Sequence, residues 1–169
     1  SLASSSASIA ENSGSTITLT ATLSQIADEA VTVSFSTSGA ATEGSDYSAI
    51  PNITIAAGST TGTASFTISD DAIYEGNEVA TVAVSSVSGA DATENGSQSV
   101  SITVLENESA PTVSLASSSA SIAENSASAI TLTATLSQIA DEAVTVSFST
   151  SGVATSGTDY SSISNITIA

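Results

Sequence analysis

Residues 16–23 read Thr-Ile-Thr-Leu-Thr-Ala-Thr-Leu, so hydroxyl and apolar side chains alternate along the whole stretch. Strict alternation is typical of a β-strand that buries one face, because successive side chains point to opposite sides of a sheet. Threonine keeps the outer face polar without adding charge and has a good strand propensity. The stretch therefore predicts a half-buried strand, and the same pattern guides the interpretation of the flanking sequence.

Similar alternation recurs along the chain, separated by segments rich in Gly, Ser, Asn and Asp. No stretch has a helical apolar period longer than about two turns. About seven short strands in roughly 100 residues predict an all-β fold, an immunoglobulin-like antiparallel β-sandwich. Besides 16–23, the predicted strands are residues 7–10, 30–35, 52–56, 64–68, 79–84 and 99–104.

An internal repeat defines the organisation of the chain. Residues 1–56 recur as residues 114–169 at a spacing of 113 residues, with 49 of 56 positions identical and no gap. This period is too long for a solenoid repeat and fits one whole domain per repeat. We therefore predict a complete sandwich at residues 1–109, a linker at residues 110–113 and the N-terminal half of a second, near-identical repeat. Because the chain begins without Met, we expect a processed chain or a piece of a longer array.

The second copy, taken alone, would lack the last three strands of the sandwich and would expose an apolar face and open sheet edges. Two explanations remain open. Further chain beyond this sequence completes the sandwich, which we favour, or another molecule supplies the missing strands, as in donor-strand fibres. Under either explanation, residues 114–169 should adopt the strand positions of residues 1–56.

The charge balance limits the possible partners and activities. The chain has 17 Asp and Glu, no Lys, Arg or His, and a formal net charge of −17. Nucleic acids and anionic membrane surfaces are excluded as partners because both are bound through cationic side chains. No run of about 18 apolar residues exists, so we expect no membrane insertion. We also expect no enzyme, since His, Lys and Cys are absent as bases and Trp is absent as a sugar-stacking group.

The acidic residues are concentrated in one window. Asp70, Asp71, Glu75 and Glu78 place four carboxylates within nine residues, in a chain without a basic side chain. Carboxylates held close together repel one another unless a cation neutralises them. Oxygen ligands without nitrogen or sulfur favour Ca²⁺, which takes about 6–8 oxygens. The window therefore predicts a calcium site, with a merely solvated turn as the alternative.

Five segments of the first repeat carry motifs that occur together in one domain family. They are residues 8–12 (SIAEN), 44–47 (GSDY), 52–63 (NITIAAGSTTGT), 70–78 (DDAIYEGNE) and 104–108 (VLENE). In this order and at domain spacing they resemble the Calx-beta domain, the calcium-binding sandwich of sodium–calcium exchangers. That domain also occurs as tandem repeats in large bacterial surface proteins. The resemblance covers the whole 113-residue unit.

The resemblance implies a set of Ca²⁺ ligands in each copy. In the first copy they are Glu11, Asp46, Asp70, Asp71, Glu75 and Glu78, with Glu106 and Glu108 as further candidates; the incomplete second copy keeps Glu124 and Asp159. The closing segment Glu-Asn-Glu at 106–108 departs from the run of aspartates that ends the family motif. Its longer side chains and neutral amide would reduce the number of bound ions or weaken one site. Tyr47 and Tyr160 are interpreted as packing residues.

Two functions from different classes fit these features. The first is a non-catalytic, calcium-rigidified extender or building block of an extracellular bacterial adhesin or fibre, whose partners are neighbouring repeats and other copies of the chain. The alternative is a calcium-sensing regulatory module. Near-identical copies favour the extender, because a sensor gains little from duplicated modules. The absence of Cys favours the bacterial cell surface over a secreted eukaryotic protein. Glu106 and Glu108 precede the linker, so we expect calcium to restrict the hinge.

Overall fold

The computed structural model describes all residues, Ser1–Ala169. It confirms the predicted all-β class: the strands are accompanied by a single 3₁₀ turn at Glu11–Ser13. The chain forms two compact units, one comprising Ser1–Asp71 and Gly76–Asn107, the other Ala72–Glu75 and Glu108–Ala169. None of the chain forms a helix with the length and apolar character needed to cross a bilayer.

The first unit is a sandwich of two sheets. Its strands are β1 (Leu2–Ser4), β2 (Ser8–Ala10), β3 (Thr16–Thr22), β4 (Val31–Gly39), β5 (Ile53–Ile55), β6 (Thr61–Thr67), β7 (Glu78–Ser88) and β8 (Ser99–Leu105). One sheet has the order β1-β3-β6, and the other has the order β2-β8-β7-β4-β5. All pairs are antiparallel except β2 with β8, which run parallel. The architecture is consistent with the predicted immunoglobulin-like sandwich.

The opening of the chain differs from the prediction of one strand at residues 7–10. β1 pairs with β3 in one sheet, and β2 pairs with β8 in the other, so the chain changes sheets between them. Serine side chains satisfy backbone groups at this crossover: Ser4 Oγ donates to Ser6 O and Ser6 Oγ donates to Ser8 O, each at 2.6 Å. Sequence reasoning missed β1 because three residues are too few to show alternation.

The core lies between the sheets and is built from the alternating apolar residues. On β3, Ile17 and Leu19 are buried while the threonines that alternate with the apolar residues are at least partly exposed, as the alternation predicted. Val82 and Ile102 face them with no exposed surface. Tyr47 is also buried and packs edge-on against Phe66, with ring centroids 5.7 Å apart. This confirms the interpretation of Tyr47 as a packing residue.

The second unit repeats the strand register of the first copy. Its strands are β9 (Val113–Ser117), β10 (Leu132–Leu136), β11 (Val144–Val146) and β12 (Ile166–Ile168). Leu115 pairs with Ala134 as Leu2 pairs with Ala21, at the same spacing of 113 residues. The β11–β12 pair likewise reproduces the register of β4 with β5. The predicted strand positions are confirmed for these four strands, whereas no strand corresponds to β2.

The segment Ala72–Glu75 forms part of the second unit and pairs there through its backbone. The Tyr74 N–H donates to Ile139 O at 3.0 Å, and the Asp141 N–H donates to Tyr74 O at 3.1 Å. Together these bonds form an isolated parallel bridge between Tyr74 and Ala140.

Candidate metal centre

Strand register brings distant acidic residues together at one end of the sandwich. Because β2 and β8 run parallel and Ala10 pairs with Leu105, the next residues along each strand are Glu11 and Glu106. β7 runs antiparallel to β8 and begins at the same end, where Glu78 pairs with Val104. Glu11, Glu78 and Glu106, which are far apart in sequence, thus lie at the same end of the sheet.

Asp46 is held in a tight turn that follows β4. Gly44 adopts a left-handed φ of 98°, and its N–H donates to Tyr47 O at 2.8 Å. Asp46 Oδ2 accepts the Thr42 N–H, and the Asp46 N–H donates to Thr42 O at 3.0 Å. The Asp46 carboxylate is buried, and buried Tyr47 anchors the turn to the core. A buried carboxylate is costly unless hydrogen bonds or a cation compensate its charge.

The acidic loop after β6 is tied to the end of β8 by hydrogen bonds. The Gly76 N–H donates to Glu106 Oε2 at 2.8 Å, and Asn77 Oδ1 accepts the Glu106 N–H at 3.0 Å. The Ser69 N–H donates to Asp46 O at 2.8 Å, which joins the start of the loop to the Asp46 turn. Sequence reasoning did not single out Asn77, whose only signal is its position between Glu75 and Glu78.

Seven of the predicted ligands form three overlapping carboxylate groups, and within each group the ligand oxygens lie within 4.8 Å of one another. The groups are Glu11 with Glu106 and Glu108, Glu11 with Asp71 and Glu75, and Asp46 with Glu75 and Glu78. Glu11 and Glu75 each belong to two groups, so shared residues connect all three groups into one cluster. Asp70 is exposed and belongs to none of them. The assignment of individual residues as ligands stays a prediction.

The donor set of these groups fits a hard cation. Every candidate ligand is a carboxylate oxygen, and the chain contains no Cys or His that would favour a softer metal. Two unit charges about 5 Å apart repel by about 3 kcal/mol at an effective dielectric constant of about 20, before solvent and salt screen them. Because the chain has no Lys or Arg, no basic side chain can neutralise this repulsion, whereas a bound cation would. Ca²⁺ suits such a set because it accepts several carboxylates in a flexible geometry.

The second copy repeats one element of this arrangement. Asp159 Oδ2 accepts the Thr155 N–H at 2.7 Å, which reproduces the Asp46 turn, but Asp159 is exposed. Glu124 is also exposed, and neither residue belongs to a carboxylate group. Gly14, which ends the 3₁₀ turn of Glu11 with a φ of 61°, is replaced by Ala127. Alanine adopts this left-handed conformation at a cost, and residues 124–126 form no 3₁₀ turn.

Residues 1–109 therefore form a two-sheet β-sandwich with a carboxylate cluster at one end. The chain belongs to the Calx-beta domain family, whose profile matches residues 1–109 and residues 106–167. This confirms the family resemblance stated from the sequence motifs.

Two solved structures are similar to the chain. They are the calcium binding domain CBD12 of CALX1.1, with a TM-score of 0.45, and CBD12 from CALX1.2, with a TM-score of 0.48. Each is 16% identical in sequence, and each alignment covers 58% of this chain and 40% of the other. A comparison with curated proteins found no matching relative.

Proposed function

We propose that the complete repeat binds Ca²⁺ through its carboxylate cluster and serves as a non-catalytic structural element. The observation that carries the proposal is the convergence of seven carboxylates in three overlapping groups, in a chain without a basic side chain. Membership of the Calx-beta family supports the same conclusion.

The hydrogen bonds of the site suggest how calcium would act. Glu11 and Glu75, which each belong to two groups, would connect neighbouring ions or ligand sets. Glu106 accepts the Gly76 and Asn107 N–H groups at 2.8 and 2.9 Å, so its carboxylate is already oriented. A bound cation would join the ends of β2, β7 and β8 to the acidic loop. It would thereby stabilise the folded repeat and stiffen the segment that leads to the linker.

We place the repeat in an extracellular bacterial adhesin or fibre, as a calcium-rigidified extender. The support is the identity of 49 of 56 aligned positions between the copies, together with the absence of Cys. The alternative is a calcium-sensing regulatory module of a larger protein, which family membership supports equally. The extender requires the same mechanical behaviour from every copy, whereas a sensor requires a defined response from one.

Calorimetric titration of the chain with Ca²⁺ tests the binding, with Mg²⁺ as the comparison. We expect saturable Ca²⁺ binding and weaker Mg²⁺ binding, because Mg²⁺ demands near-ideal octahedral geometry and dehydrates reluctantly. Asp71→Asn with Glu75→Gln should remove most of the binding heat. Asp28→Asn with Glu29→Gln removes the same charge from an exposed turn and should leave it unchanged. No saturable heat from the unmodified chain would contradict the proposal.

A further inference from the structure

The loop between β7 and β8 contains the one Asn-Gly pair of the chain, Asn95-Gly96. β7 begins at Glu78, which belongs to the carboxylate cluster, and ends at Ser88, so this loop lies at the opposite end of the first unit. The chain has seven asparagines, and all of them are exposed. Exposure therefore does not distinguish Asn95 from the others, whereas the residue that follows it and its hydrogen bonds do.

The residue after an asparagine decides how readily its backbone nitrogen can attack the asparagine side chain. The nitrogen must approach the Cγ atom of the side-chain amide closely, and a Cβ on the attacking residue hinders that approach. Gly96 has no Cβ, and no atom of a non-adjacent residue lies within 4 Å of the position that a Cβ would occupy. The residues that follow the other six asparagines all carry a side chain: Ser13, Ile53, Glu78, Glu108, Ser126 and Ile166.

No hydrogen bond holds either of the two groups that would react. The Asn95 side-chain amide and the Gly96 N–H have no hydrogen-bond partner within the chain. Asn77 provides the contrast, because its Oδ1 accepts the Glu106 N–H at 3.0 Å and its side chain is thereby fixed. The Asn95 amide can therefore rotate toward the Gly96 nitrogen without breaking a bond.

A side chain of the same loop polarises the peptide bond between Asn95 and Gly96. Gln98 Nε2 donates to Asn95 O at 2.8 Å. This carbonyl shares its peptide group with the Gly96 nitrogen, so a hydrogen bond at the oxygen makes the Gly96 N–H easier to deprotonate. Gln98 is itself held at two points: its N–H donates to Glu94 Oε1 at 2.6 Å, and its Oε1 accepts the Leu2 N–H at 3.3 Å.

We propose that Asn95 is a self-modification site, at which the chain converts this asparagine to a mixture of aspartate and isoaspartate. The Gly96 nitrogen loses its proton and attacks Asn95 Cγ, which forms the N–Cγ bond of a five-membered succinimide ring. The bond between Cγ and Nδ2 breaks, and Nδ2 takes up a proton and leaves as ammonia. Water then opens the ring at either carbonyl, so the net reaction consumes one water and releases one ammonia. The site does not involve the carboxylate cluster.

The reaction would change both the charge and the contacts of the loop. It adds a carboxylate to a loop that already carries Asp91 and Glu94, so the new charge is repelled by its neighbours. In the isoaspartate product the backbone runs through Cγ, and the carbonyl that accepts Gln98 Nε2 becomes part of a free carboxylate. The modification therefore acts on Gln98, through which the loop is joined to Leu2 of β1.

Incubation of the unmodified chain in mildly alkaline buffer, followed by peptic digestion and mass spectrometry, tests the proposal. Pepsin replaces trypsin because the chain has no Lys or Arg, and its acidic buffer stops the reaction. We expect the Asn95 peptide to gain the mass of an amide-to-acid conversion well before the peptides that contain Asn12 and Asn77, and to contain isoaspartate. Conversion of Asn95 no faster than that of Asn12 and Asn77 would overturn the proposal.

A variant and a chemical trap examine the mechanism. Gly96→Ala should slow the conversion of Asn95 about fivefold or more, the factor by which a Cβ disfavours the left-handed conformation that Gly96 adopts at a φ of 68°. An unchanged rate would contradict attack by the Gly96 nitrogen. Hydroxylamine cleaves a succinimide, so it should split the folded, unmodified chain into residues 1–95 and 96–169 and leave Asn95→Gln intact. Equal cleavage of the two chains, or cleavage of neither, would overturn the proposal.

Discussion

The double variant Asp71→Asn with Glu75→Gln should change stability in opposite directions with and without calcium. Both residues belong to one carboxylate group with ligand oxygens within 4.8 Å of one another. Repulsion at that distance is about 3 kcal/mol at an effective dielectric constant of about 20, and exposure and salt reduce it to about 1 kcal/mol. About 1 kcal/mol corresponds to roughly 4–8 °C for a domain of about 100 residues. In chelator the variant should therefore melt several degrees above the unmodified chain.

Calcium should reverse that order. A free calcium concentration of about 100 times Kd stabilises the folded state by about 2.7 kcal/mol, which corresponds to a rise in Tm of roughly 10–20 °C. The variant should lose most of this rise because it has lost two ligand charges. Circular dichroism melts in calcium and in chelator measure both effects. The Asp28→Asn with Glu29→Gln chain carries the same charge change and should keep the full calcium response. If the unmodified chain melts at one temperature in both buffers, the calcium site does not exist.

Three further predictions follow from packing and from the tandem organisation. Gly39→Ala should destabilise the chain by about 2–4 kcal/mol in urea denaturation, because its Cβ would lie 1.9 Å from Val79 O at a φ of 121°. Gly44→Ala has open space around it and should cost about 1 kcal/mol; equal losses would contradict this reasoning. Leu19→Ala should cost about 2–5 kcal/mol, because Leu19 has no exposed surface. Leu132→Ala, at the equivalent and partly exposed position, should cost much less, and the reverse order would be inconsistent with the burial. In small-angle scattering, a tandem of complete repeats should be extended and stiff with calcium and more flexible without it; identical maximum dimensions would leave the repeat as a passive spacer.

Alternation in the sequence located most strands because it is a local property. β3 begins at the predicted residue and ends one residue early, and β8 extends one residue beyond its predicted end. β7 runs to Ser88, beyond the predicted end at residue 84, because Ser and Val continue the strand after the strictly apolar stretch ends. β1 was not predicted. It is a strand because it pairs with β3, and its own three residues carry no pattern that indicates this pairing.

The carboxylate cluster could not be predicted from the local sequence pattern alone. The family motifs indicated which acidic residues belong to the site, but the proximity of Glu11 and Glu106 depends on the parallel pairing of β2 with β8. No spacing rule relates two residues that are 95 positions apart in sequence. The same limit applies to Asp70 and Asp71, which are adjacent in sequence, although only Asp71 belongs to a carboxylate group.

The two copies distinguish structure that is encoded locally from structure that needs the whole repeat. Leu115 pairs with Ala134 as Leu2 pairs with Ala21, and the Asp159 turn repeats the Asp46 turn. These features need only residues that both copies share. Burial does not repeat in this way: Leu19, beside β6, is fully buried, whereas Leu132 is partly exposed. The carboxylate groups do not repeat either, because each contains at least one residue from the acidic loop or the closing segment, which residues 114–169 lack. Pairing and turns are therefore specified by about half the repeat, while the core and the carboxylate cluster arise only when β6, the acidic loop, β7 and β8 join it.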